Sequence, residues 1–167
     1  MLLNDILRRL RFALSLDNKA TINIFKLVDH DLDEDYLMNM MKKEDESGFL
    51  PCRDKTLCLF LDGLIVKNRG KQEGGPPPGL EGGQRLSNND ILRKIKIAQS
   101  YQQEDMMKIL QLAEFRIGKS ELSALFRKPE HRSYRACGDQ LLRNFLQGMV
   151  KKHRPDASAN TPWGNGR

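Results

Sequence analysis

No apolar run in this 167-residue chain approaches the ~20 consecutive residues that a membrane-spanning helix needs. Met1-Leu2-Leu3 passes directly into Asn4-Asp5, without the basic region and long hydrophobic stretch of an export signal. A cytoplasmic protein with no membrane partner is expected. Cysteine is scarce and odd in number, with three residues, which argues against a disulfide framework and for free thiols. The three histidines recur in no pattern, and the chain has no Cys-x-x-Cys or His-Glu-x-x-His spacing and no phosphate-cradling loop ending in Gly-Lys-Ser/Thr. No metal, cofactor or catalytic residue is assigned.

What the chain does have is a second copy of itself. Asn4-Asp5-Ile6-Leu7-Arg8 returns as Asn89-Asp90-Ile91-Leu92-Arg93, an offset of 85 residues. The register holds without a gap through Cys52/Cys137, Asp54/Asp139, Leu57/Leu142, Phe60-Leu61/Phe145-Leu146, Gly63/Gly148 and Arg69/Arg154. Positions kept alike in two copies of one chain report what the folding unit requires. The copies span residues 1–69 and 88–153, joined by a Gly/Pro-rich stretch over 70–87 that reads as a flexible linker. Residues 154–167 read as a disordered tail with Trp163 exposed.

Each copy carries four stretches of helical periodicity. The fourth is clearest: Leu57, Phe60, Leu61 and Leu64 fall at i, i+3, i+4 and i+7, and Leu142, Phe145, Leu146 and Met149 repeat that stripe. The third places Leu37, Met40 and Met41 against Leu122, Leu125 and Phe126, starting at Asp33 and Gly118. The first buries Ile6, Leu7, Leu10, Ala13 and Leu14, matched by Ile91, Leu92, Ile95 and Ala98, with Asn4 or Asp5, and Asn89 or Asp90, as caps. The second centres on Thr21, Ile24, Phe25, Leu27 and Val28, matched by Met106, Ile109, Leu110, Leu112 and Ala113. No stretch alternates with a period of two. The expected fold is all-α, two tandem four-helix repeats with about eight helices.

A glycine inside a helix costs roughly 1 kcal/mol relative to alanine. Gly63 and Gly148 nevertheless recur in the fourth helix, which predicts close helix packing between the two copies.

Charge separates the copies. Residues 1–69 hold 11 Lys/Arg against 12 Asp/Glu, a net −1, whereas residues 88–153 hold 13 against 7, a net +6. Arg127, Lys128, Arg132 and Arg135 interleave with Tyr134 in one segment of the second copy, and Arg93, Lys94 and Lys96 lie on its first helix. Mobile cations and an aromatic ring suit phosphates and unpaired bases, making these eight residues the candidate contact for an anionic partner.

Cys52 and Cys137 each precede an aspartate by two residues at a helix start, where a thiol can become reactive. The structural reading is stronger: Asp54 and Asp139 cap the fourth helix, the cysteines pack beside it, and no histidine recurs as a base. The carboxylates from Asp29 to Asp35 are not kept as a set in the second copy, where Gly118 stands for Asp33, so they form no shared catalytic pair and read as a solvated face.

Taken together, Asn4-Asp5-Ile6-Leu7-Arg8-Arg9, Lys42-Lys43-Glu44-Asp45, Phe60-Leu61-Asp62-Gly63-Leu64-Ile65, Asn88-Asn89-Asp90-Ile91-Leu92, Ser120-Glu121-Leu122-Ser123-Ala124-Leu125-Phe126-Arg127 and Cys137-Gly138-Asp139-Gln140 resemble the YehS-like uncharacterised bacterial proteins. The resemblance covers nearly everything outside linker and tail. It implies a small cytosolic bacterial protein built of two tandem units, and it transfers no catalytic residue. The expected function is a non-enzymatic helical binding or adaptor protein with a macromolecular partner, protein or nucleic acid. The alternatives are nucleic-acid binding through the second repeat, and thiol chemistry at Cys137.

Overall fold

The computed structural model describes residues 1–71, 80 and 83–157, and among them it contains eight α-helices and no strand. The first repeat comprises α1 (Leu3–Ala13), α2 (Asn18–Lys26), α3 (Glu34–Met40) and α4 (Asp54–Arg69), and the second comprises α5 (Asn88–Gln99), α6 (Gln103–Leu112), α7 (Lys119–Ala124) and α8 (Asp139–His153). A single 3-10 turn, Pro155–Ala157, follows α8. Most residues expected in the linker and tail, Trp163 included, lie outside the described set. No helix among the described residues is long and apolar enough to cross a membrane.

The apolar stripes bury as their periodicity requires. Leu57, Phe60, Leu61 and Leu64 on α4, and Leu142, Phe145, Leu146 and Met149 on α8, are all inaccessible to solvent. Leu27 and Leu112 depart from expectation: both are 43% exposed, because α2 and α6 end there and the last turn rotates the side chain out of the stripe.

The caps also differ from expectation. α1 starts at Leu2 with no side-chain cap, and Asn4 lies one residue inside the helix, buried. Its Nδ2 donates to the carbonyls of Met40 and Leu50 at 2.9 Å each, and its Oδ1 accepts from the Cys52 amide at 2.9 Å. Asn89 repeats this with Leu125, Arg135 and Cys137 at 2.9, 2.9 and 2.8 Å. Each asparagine therefore fastens its helix to the end of the third helix and to the segment before the fourth. On α5 the cap is Ser87, whose hydroxyl accepts from the Asp90 amide while the Asp90 carboxylate accepts from the Ser87 amide, so Asp90 acts from the third helical position. Asp5 instead pairs with Arg8.

Asp54 and Asp139 are the first helical residues after Arg53 and Gly138, and no side-chain bond caps either helix. Their carboxylates reach the other repeat. Asp54 accepts from the Leu86 amide at 2.7 Å, and Asp139 accepts from the Met1 nitrogen at 2.8 Å, two positions 85 residues apart. Hydrogen bonds from Met1 and from Asn88 hold the Asp139 carboxyl below the usual carboxylate range. At the opposite ends, Arg69 donates to the Ile97 carbonyl and Arg154 to the Phe12 carbonyl, at 3.4 and 3.3 Å. The helix starts meet and the helix ends meet, so α4 runs parallel to α5 and α8 runs parallel to α1. A parallel pair of consecutive helices obliges the chain to return along about 24 Å of helix, which takes at least ~7 extended residues. The segment from Gly70 to Ser87 is long enough for this.

The glycines do permit close packing, but within each repeat rather than between them. A Cβ on Gly63 would stand 2.3 Å from the Ile24 carbonyl oxygen, and one on Gly148 would stand 2.0 Å from that of Ile109. The join between repeats is made instead by the parallel pairs, which merge the buried residues of both halves into one hydrophobic cluster.

Candidate anionic-partner surface

Arg93 and Lys96 sit three residues apart on α5, so their side chains leave one face of the helix, and both reach Phe126 at the end of α7. Arg93 donates to the Phe126 carbonyl at 3.2 Å and faces Asp90 at 3.7 Å, while the Lys96 ammonium stands 4.8 Å above the Phe126 ring. The chain leaving Phe126 carries Arg127, half-buried and donating to the Ser133 carbonyl, then Lys128 and Arg132, both exposed. Tyr134 is half-buried in the same loop, which is closed by the His131 imidazole accepting from the Ser133 amide. The structure thus sets Arg93 and Lys96 against Phe126, from which the loop bearing Arg127, Lys128, Arg132 and Tyr134 continues.

Two of the eight expected residues are committed elsewhere. Lys94 is one: its ammonium meets Asp62 of α4 at 2.5 Å, with the Asp62 side chain only 4% exposed. The pair lies between the repeats, and Cys58 donates to the other Asp62 oxygen at 3.5 Å. Arg135 forms an exposed ion pair with Glu121 at 2.7 Å.

The thiols lie where burial disfavours the thiolate. Cys52 and Cys137 are 7% and 6% exposed, and burial pushes the first up to about 12 and the second up to about 11. The thiolate is the reactive form, so at neutral pH each stays protonated. All three cysteines are free and buried. Among the described residues, no three His, Cys, Asp or Glu side chains converge as metal ligands do.

A further concavity went unrecognised in the sequence. A groove of about 850 Å³ opens beside α1, between Phe12, Leu16, Met41 and Phe49, with Arg8, Arg11, Lys43 and Arg154 among its charged walls. The signal was present in the register: Arg8, Arg11 and Lys43 occupy the positions of Arg93, Lys96 and Lys128. Net charge hid it, because acidic residues balance these cations in the first repeat.

The arrangement is repeated twice, and a family profile described as "Protein of unknown function (DUF1456)" matches the chain twice, over residues 3–70 and 88–154. The chain belongs to the DUF1456 family. Those two matched segments correspond to the two four-helix repeats, with the Gly70-to-Ser87 crossing between them. A relative, "Uncharacterized protein YehS" of Escherichia coli (strain K12), is 40% identical over 152 residues, covering 91% of this chain and 96% of its own length. No solved structure matches. DUF1456 membership agrees with the resemblance read from the duplicated residues and carries no functional residue with it.

Proposed function

We propose that this protein is a non-enzymatic cytoplasmic binding protein whose second repeat holds a phosphate-bearing macromolecule. The observation that carries the reading is that Lys96 lies over Phe126, where the segment bearing Arg127, Lys128, Arg132 and Tyr134 begins, in a repeat whose net charge is +6. Such cations gain affinity by releasing counterions condensed on phosphates, and the phenol ring offers a face to an unpaired base. Reduced, buried thiols suit a cytoplasmic setting. The alternative of thiol chemistry at Cys137 has burial and a raised pKa against it.

Fluorescence anisotropy of the whole chain with a labelled mixed-sequence oligonucleotide tests the proposal. Binding at low salt should weaken linearly on a log–log plot as salt rises, with a slope of ~0.7–0.9 per neutralised phosphate. Changing Arg127, Lys128 and Arg132 together to Gln should flatten that slope by about 2–3. Absence of binding at low salt by the unaltered chain overturns a nucleic-acid partner and leaves a protein as the partner to seek.

A further inference from the structure

We infer that the groove beside α1 is a binding site for a small amphiphilic anion, one acidic group joined to an apolar body. The groove is of ligand size, since pockets for small molecules occupy roughly 300–1,000 Å³. Its apolar wall consists of Phe12, Leu16, Met41 and Phe49. Its charged wall is unevenly committed. Arg8 is spent on Asp5 and on the carbonyls of Met41 and Lys42. Asp17 accepts from the Ala20 amide and Glu46 from the Lys43 amide, so both carboxylates are engaged by backbone, while Glu44 stands exposed to solvent at the groove.

Three cations stand differently: Arg11, Lys43 and Arg154 form no ion pair among the described residues. Arg11 is the most telling. Its one hydrogen bond goes to the neutral Asn18 amide at 2.7 Å, its Nε is covered and has no partner, and burial lowers its pKa. Burial makes the Arg11 guanidinium costly, the nearby Asp17 carboxylate offsets that cost only in part, and an anion seated in the groove adds the remaining counter-charge. Arg154 lies over the Phe12 ring at 4.1 Å, which places a planar cation against the apolar wall where a ligand's acidic group and apolar body would both find contacts. The site is separate from the basic edge of the second repeat, whose equivalent position has the Lys96 ammonium over Phe126.

Anilinonaphthalene sulfonate, an aromatic anion, is the probe. Titrated into the folded full-length chain, it should bind saturably at one site per chain. Lys43→Glu, a change at the groove rim, should weaken binding about tenfold, the scale of one lost charge-assisted contact. Arg11→Gln should weaken it similarly. The Gln variants of Arg127, Lys128 and Arg132 should leave it unchanged. Displacement by adenosine monophosphate would assign the acidic group as phosphate, and displacement by decanoate would assign it as carboxylate. Non-saturable dye binding, or the same affinity in folded Lys43→Glu and in the unaltered chain, overturns the inference.

Discussion

Asn89→Ala removes three hydrogen bonds at once, leaving the Leu125 and Arg135 carbonyls and the Cys137 amide without their partner. Each abandoned buried group costs about 1–3 kcal/mol, so the variant should lose about 3–5 kcal/mol in urea unfolding. Asn89→Asp should be no milder, since a carboxylate cannot donate to the two carbonyls. A loss below ~1 kcal/mol would mean that these groups find water instead. The duplication marked Asn4 and Asn89 as required but left their role ambiguous, because a polar residue near a helix start reads as a cap whenever its burial is unknown. The cysteines were easier to read. Cys52 and Cys137 sit where the asparagines fasten the chain, and a small maleimide should label them slowly in the native state and fast once urea has unfolded the chain. Fast native labelling of Cys137 would restore the thiol reading.

At the scale of elements, Gly148→Ala sets two effects against each other. Alanine gains roughly 1 kcal/mol of helix propensity over glycine. Its Cβ would stand 2.0 Å from the Ile109 carbonyl oxygen, a backbone atom that moves only if α6 moves. Overpacking of about 1–3 kcal/mol, with the adjacent strain of the displaced α6 backbone, should win, so the thermal midpoint should fall. A raised midpoint would show that α6 gives way freely. That these glycines allow close approach was legible, whereas their partner was not, because periodicity says which face of a helix is apolar and nothing about which helix covers it. The same limit applied to Lys94. Listing charges along α5 put it with Arg93 and Lys96, although a 100° step per residue sends it to a different face, toward Asp62.

The end of α8 carries a pH dependence. Tyr101 is buried, and its hydroxyl meets His153 Nε2 at 2.6 Å. Burial, with Lys152 nearby, lowers the His153 pKa from its ordinary value. The folded chain therefore favours neutral imidazole and the unfolded chain takes up the proton first, so this contribution is present above about pH 6.5 and declines as pH falls toward the folded-state value. His153→Gln should remove that part of the dependence. Equal slopes of stability against pH below 6.5 in both proteins would contradict it.

Across the whole molecule, each repeat lends its fourth helix to the first helix of the other. The ties run in matched pairs, Asp54 to Leu86 with Asp139 to Met1, and Arg69 to Ile97 with Arg154 to Phe12. Repetition made two four-helix units legible, and it equally suggested two separate domains. The exchange of partners could not be read, because sequence identity between copies is the same whether a helix packs within its own copy or across. One closed body follows from the exchange, with a nearly neutral groove on the first repeat and a basic edge on the second. Hydrogen exchange on Gly63→Ala, a variant altered only in the first repeat, tests this most directly. If the repeats share one core, amide protection in α5 and α8 should collapse at the same lowered urea concentration as that in α1 and α4. Protection of α5 and α8 persisting at the unaltered chain's midpoint, while α1 and α4 have already opened, would contradict the account.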